Sequence, residues 1–141
     1  MTTVLNTFRS NPFTRNMKPR KTGIARLLAA TRYSMAGLRA CYVNEAAFRQ
    51  EVLLVIILLP LSFFVAGSTT QWLFLVIPLF LLLIVELLNS AIESVVDRMG
   101  QELHELSGRA KDMGSAAVLI CLLLTACCWI TVISTNFLQA G

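Results

Sequence analysis

The chain has 141 residues, 56% of them apolar and only 14% charged, with 12 Lys and Arg against 8 Asp and Glu for a formal net charge of +4. A mean hydropathy of +0.70 with so few charges excludes an ordinary soluble domain and places the chain in the membrane class.

Residues 1–22 form a basic N-terminal extension carrying Arg9, Arg15, Lys18, Arg20 and Lys21. With Pro12, Pro19 and no apolar core it is not a secretory signal, although an acid-poor, Arg-rich start is also the composition of an organellar presequence. The remainder, 23–141, reads as one membrane domain. Over residues 23–42, Ile24, Leu27, Leu28, Met35, Leu38 and Tyr42 recur at helical spacing, with Arg26 on the far side and Arg32 and Arg39 at the edges of the stripe. This predicts a helix over about 23–43 lying in the membrane surface, the alternative being a helix packed on the bundle in a structural role.

Residues 52–85 carry no charge, and one helix of that length would rise about 50 Å against a hydrocarbon core of roughly 30 Å. The polar GSTTQ at 67–71 breaks the run, which gives spans over about 45–66 and 72–98. A further uncharged run from Met113 supplies a third, over about 113–138. The expected fold is an all-α membrane protein with three transmembrane helices and an N-terminal amphipathic surface helix. Every charge before Asn44 is positive, the 67–71 loop is uncharged, and the connection after Asp97 contains Arg98, Arg109 and Lys111. The N-terminus and second loop are therefore expected in the cytoplasm, the C-terminus outside, and Trp72 at the outer interface. Cys41, Cys121, Cys127 and Cys128 follow no disulfide or metal-ligand spacing.

Glu86, Asn89, Glu93 and Asp97 follow one another at i, i+3, i+7 and i+11, so all four project within about 60° of a common line on the second span. Fourteen residues in from Trp72, Glu86 lies about 21 Å deep, within the hydrocarbon but near its cytoplasmic boundary. A carboxyl there costs a few kcal/mol on insertion scales and marks a functional site, against the alternative of a hydrogen-bonded packing residue. Partial desolvation suits Glu86 to act as a general base, whereas Glu93, nearer water, suits a hard cation. The segment QELHELSGRAKDMGS at 101–115 combines Glu102, Glu105 and the sole His104 with Arg109, Lys111 and Asp112 beside Gly108, Gly114 and Ser115, a composition fit for phosphate and metal. The small residues Gly114, Ser115, Ala116 and Ala117 would let the third helix approach a neighbour closely. With no Walker sequence, kinase-type catalytic loop or nucleophile elbow, soluble phosphotransfer folds are excluded.

The motifs NEAAFRQE at 44–51, VELLNSAIESVVDR at 85–98 and HELSGRAKDMGSAAVL at 104–119, in that order, closely resemble the prokaryotic diacylglycerol kinase family. That resemblance implies a homotrimer with shared active sites in the bacterial inner membrane, transferring the γ-phosphoryl of magnesium ATP to diacylglycerol to give phosphatidic acid and ADP. Carried onto matching positions, it makes Glu86 the catalytic base and Glu45 and Glu93 the Mg2+ ligands. Around ATP it places Arg26, Tyr33, Glu45, Glu93, Glu102, Leu103, His104, Lys111 and Asp112. Along the lipid it places Arg26, Ala30, Ala47, Phe48, Arg49, Gln50, Glu51, Glu86, Ser115 and Trp129, with Asn89, Gly108 and Gly114 in support. Asp97 is left as a structural residue. Residues 1–22 extend beyond the usual family core, and Met35 and Ala36 stand where relatives often carry a bulky aromatic and a basic residue. Nucleic acid is not among the implied partners. A polyprenol kinase of the same architecture, and a small channel or transporter subunit in which Glu86 and Glu93 relay cations, are the competing readings.

Overall fold

A computed structural model describes residues 22–99 and 104–140, so the N-terminal extension lies almost wholly outside the described residues. Among those described, every regular element is a helix: α1 (Gly23–Asn44), α2 (Ala46–Val65), α3 (Thr69–Arg98) and α4 (Glu105–Ala140). Three of them, Ala46–Val65, Thr69–Arg98 and Glu105–Leu138, are long and apolar enough to cross a membrane, so the all-α, three-span class with a shorter N-terminal helix is borne out. The 20 residues of α2 rise about 30 Å, one hydrocarbon thickness. The 30 residues of α3 rise about 45 Å and must project beyond it. The polar stretch from Glu105 to Asp112 is also helical and forms the first turns of α4.

The chain divides into two compact units, residues 1–37 and 38–141. In the first, the described part of α1 is exposed except for half-buried Ala29, and Thr31 back-bonds to the Leu27 carbonyl at 3.1 Å. The second unit holds the last turns of α1 and all three long helices.

Within it, α3 packs most extensively on α4 and then on α2. Leu75, Leu79 and Leu82 repeat at four and three residues and are completely buried, and Val55 of α2 with Trp129 and Val132 of α4 closes a core around Leu75 and Leu79. Lipid tails are as apolar as leucine, so close packing and hydrogen bonds must hold such helices together. They do so in an antiparallel register. Trp129 Nε1 donates to the Leu75 carbonyl at 3.3 Å, and one turn along each helix Thr125 Oγ1 lies 3.5 Å from the Pro78 carbonyl while donating to Cys121 O at 2.8 Å. Pro78 lacks an N–H and loosens the α3 ladder locally, which is where these side chains from α4 engage its backbone.

The turn between α2 and α3 is tied by a polar clamp. Asn136 Nδ2 donates to the Val65 carbonyl at 2.7 Å and to Gln71 Oε1 at 3.0 Å, and Gln71 Nε2 donates back to Asn136 Oδ1 at 2.9 Å. Gln71 Oε1 also accepts the Gly67 N–H at 2.7 Å, and Ser68 Oγ caps α3 by accepting the Gln71 N–H at 3.2 Å. Groups orphaned at two helix ends are thereby satisfied.

Candidate active site

The buried leucine stripe of α3 continues toward its C-terminal end without a change of spacing: Leu75, Leu79, Leu82, Glu86, Asn89, Glu93. Spacing that buries leucines near the α2–α3 turn buries polar groups at the other end. Glu86 is 2% exposed, Asn89 8% and Ser90 7%, whereas Glu93 is half-buried and Asp97 exposed. Asn89 Nδ2 donates to Glu93 Oε1 at 3.1 Å, and Asn89 Oδ1 is buried without a partner.

α4 approaches at Gly114, which is itself buried. A Cβ there would collide with Asn89 Oδ1 and stand 3.2 Å from Asn89 Cγ, so only glycine admits this contact without displacement. One turn nearer the start of α4, Lys111 Nζ reaches Asp97 Oδ1 at 2.5 Å, which gives Asp97 its structural partner. Glu93 and Glu45 also lie within electrostatic range of Lys111.

The third contribution comes from the junction of α1 and α2. Glu45 adopts an extended conformation (φ −106°, ψ 119°) and its side chain makes no capping bond. The helical bond path nevertheless runs through it, since Glu45 N–H bonds Cys41 O at 2.8 Å and Arg49 N–H bonds Glu45 O at 3.4 Å. Arg49 Nη1 donates to the Tyr42 and Val43 carbonyls at 3.1 Å each, which caps the end of α1. Glu45 and Glu93 both act electrostatically on Glu86, and so does Glu86 on Glu51. Glu51 is 6% exposed, and its Oε2 has no partner.

Glu45, Glu51, Glu86, Asn89, Glu93 and Lys111 are thus brought together at one end of the bundle. Phe48 is buried, whereas Ala47, Gln50, Asp112, Ser115 and Gly108 are exposed on helices bordering this end. His104 is exposed and its Nδ1 accepts the Leu106 N–H at 3.2 Å, a cap on α4. Arg26, Ala30 and Tyr33 are exposed within the first unit, and Glu102 and Leu103 lie outside the described residues. Trp129 is buried in the core, about 27 Å along α4 from Lys111. The acidic-row reading overlooked Glu51 as a member of the carboxyl group, and it singled out neither Ser90, four residues after Glu86, nor Cys41, four before Glu45.

Fold and site together define a small helical membrane protein that gathers carboxylates and a lysine at one end of its bundle. The sequence pattern described as prokaryotic diacylglycerol kinase matches residues 32–133. Diacylglycerol kinase of Escherichia coli K12 is 47% identical over 116 residues, 82% of this chain and 95% of that protein. Diacylglycerol kinase of Pseudomonas aeruginosa is 48% identical over 113 residues, covering 80% and 92%. That of Haemophilus influenzae is 47% identical over 108, covering 77% and 92%. The chain belongs to the prokaryotic diacylglycerol kinase family, and the phosphotransferase class expected from its motifs is borne out.

Proposed function

We propose that the protein transfers the γ-phosphoryl of MgATP to the hydroxyl of diacylglycerol, giving phosphatidic acid and ADP. It does so as a homotrimer in the bacterial inner membrane, with its N-terminus in the cytoplasm and the surface helix α1 at the lipid boundary. The observation that carries this reading is the placement of Glu86. It is a carboxyl buried at 2% exposure on the core face of a membrane-length helix, with half-buried Glu93 two turns nearer the helix end.

A lipid hydroxyl lies just below the headgroups while ATP stays in water, so transfer must occur where a helix passes from lipid to water. Glu86 and Glu93 straddle that boundary. Glu86 takes the proton of the acceptor hydroxyl, whose oxygen bonds to the γ-phosphorus as the bond to the β,γ-bridging oxygen breaks and ADP departs. Lys111 neutralises phosphate charge, and Asn89 holds Glu93 by its amide. Such a reaction asks mainly for positioning and charge neutralisation.

The residues also fit magnesium. Glu45, whose side chain makes no capping bond, and half-buried Glu93 supply hard carboxylate oxygens, and both lie within electrostatic range of Lys111. Among the described residues no group of three His, Cys, Asp or Glu side chains is arranged to hold a metal alone. Held by Glu45 and Glu93, the ion would neutralise charge on the phosphate oxygens of the nucleotide. The nucleotide is expected against Arg26, Tyr33, the 102–104 segment, Lys111 and Asp112. The lipid is expected along Ala30, Ala47, Phe48, Arg49, Gln50, Glu51, Ser115 and Trp129. Three thin helices enclose little volume, so the large apolar side chains left exposed on α2, α3 and α4 meet neighbouring subunits as well as lipid, and the site is shared across that interface.

Purified enzyme in mixed micelles, supplied with MgATP and either diacylglycerol or a long polyprenol, tests the proposal. Phosphatidic acid is the expected product. Turnover of the polyprenol alone would replace the acceptor, and turnover of neither would remove the kinase reading.

A further inference from the structure

The last turns of α1 and the inner half of α3 are joined by one side-chain bond that the reaction scheme above does not use. Cys41 Sγ donates to Ser90 Oγ at 3.2 Å, and both residues are buried. Both ends of this bond sit one helical turn from a carboxylate of the site. On one side, the Cys41 carbonyl accepts the Glu45 N–H at 2.8 Å, so displacing Cys41 displaces Glu45 with it. On the other, Ser90 follows Glu86 by four residues and Asn89 by one, on the buried face of α3.

Glu45 needs such a tie. It stands at a break between two helices, in extended backbone, and its side chain makes no capping bond to α2. Arg49, through the Tyr42 and Val43 carbonyls, and Asn44 Nδ2, which donates to Ala40 O at 2.8 Å, stiffen the junction from within. Neither fixes the junction against α3.

We infer that the Cys41–Ser90 hydrogen bond is a positioning device that sets Glu45 against Glu86 and Glu93, and so determines how tightly the enzyme holds the divalent cation of its nucleotide. The inference rests on the kinase reading for the role of that cation, but the geometry it concerns belongs to the chain itself.

The test uses the full-length protein with Cys41→Ala, Ser90→Ala, the double variant and Cys41→Ser, which keeps an O–H donor in place of the thiol. Two readouts run in parallel: Mn2+ titration in the presence of a non-hydrolysable ATP analogue, followed by electron paramagnetic resonance, and the Mg2+ dependence of phosphatidic acid formation. Both alanine variants are expected to bind Mn2+ about tenfold more weakly and to need correspondingly more Mg2+, with the KM for diacylglycerol unchanged. The double variant should be no worse than either single one, and Cys41→Ser should restore binding to within about threefold of the parent. If either alanine variant is obtained only unfolded, the other makes the same test from the opposite helix.

Mn2+ affinities within twofold of the parent in both alanine variants overturn the inference. So does a loss that affects yield and thermal stability alone, or one that Cys41→Ser fails to reverse. A parent that binds Mn2+ normally but phosphorylates no lipid overturns the kinase reading instead, and the binding comparison still decides the positioning role.

Discussion

Gly114 of α4 sits so close to Asn89 of α3 that a methyl group on the glycine would collide with the amide oxygen. The amide it touches also donates to Glu93 Oε1 at 3.1 Å, so the contact reaches a proposed metal ligand through one side chain. Gly114→Ala is expected to displace Asn89 and with it Glu93. Overpacking of this kind costs roughly 1–3 kcal/mol. A misplacement of about 1 Å at a reacting centre costs on the order of 100-fold in rate. The expected signature is therefore a large fall in kcat with a modest fall in the thermal midpoint, measured on one purified sample. A variant with parental kcat would show that α4 can retreat without disturbing the row.

Glu86 and Glu93 differ in burial, and their substitutions should differ in kind. Glu86→Gln keeps the shape and removes the proposed base, so turnover should fall by about 10² to 10⁴ while the protein still folds. Glu93→Gln should instead raise the Mg2+ concentration needed for half-maximal rate. Phosphatidic acid formation at several Mg2+ concentrations separates them. Near-parental turnover in the first variant takes the base role from Glu86, and an unchanged Mg2+ requirement in the second takes the metal from Glu93.

Much of this arrangement was legible because helix spacing is a strong signal. The acids at 86, 93 and 97 declare a stripe, and the leucines at 75, 79 and 82 lie on its continuation toward the start of α3, so the burial of Glu86 follows once that face is seen to be the core. The small residue at 114 announced a close approach but not its partner, because Asn89 lies in another helix and no local rule pairs them. Glu51 was placed beside the lipid, yet it is buried and faces the charge of Glu86. Its position in the exposed-looking run AAFRQE hides that burial. Cys41 and Ser90 are 49 residues apart, and neither carries a motif. The start of α4 was illegible for a different reason: ELSGRAKD is polar and glycine-containing and reads as a loop, yet it forms the first turns of a continuous 36-residue helix.

That ion pair makes a separable prediction. Its side chains are 38% and 66% exposed, so the attraction is screened by solvent and contributes little. Asp97→Asn should therefore leave stability and kcat nearly unchanged, with at most a few-fold change in the KM for ATP as Lys111 loses its tether. Lys111→Met removes the cation itself and should raise that KM at least tenfold. Steady-state kinetics with ATP varied at saturating lipid compares the two. Equal losses in both would mean that Asp97 acts on the nucleotide site and not merely as an anchor.

The far end of the bundle provides the opposite case, stability without chemistry. Asn136 satisfies the Val65 carbonyl and shares two hydrogen bonds with Gln71, whose Oε1 in turn accepts the Gly67 N–H. Asn136→Ala leaves the Val65 carbonyl and the Gln71 amide without these partners in a partly buried setting, a loss of about 1–3 kcal/mol for each group left unpaired. Between this clamp and Glu86 stand the core residues Leu75, Leu79 and Trp129, which hold the register of α3 against α4 independently. The variant should lower the thermal midpoint in detergent while the surviving folded enzyme keeps the parental kcat, KM for ATP and Mg2+ dependence. Thermal inactivation followed by assay at a permissive temperature reads both quantities from one preparation. A change in Mg2+ dependence would show instead that the two ends of the bundle are mechanically coupled, with the α3 and α4 register as the carrier.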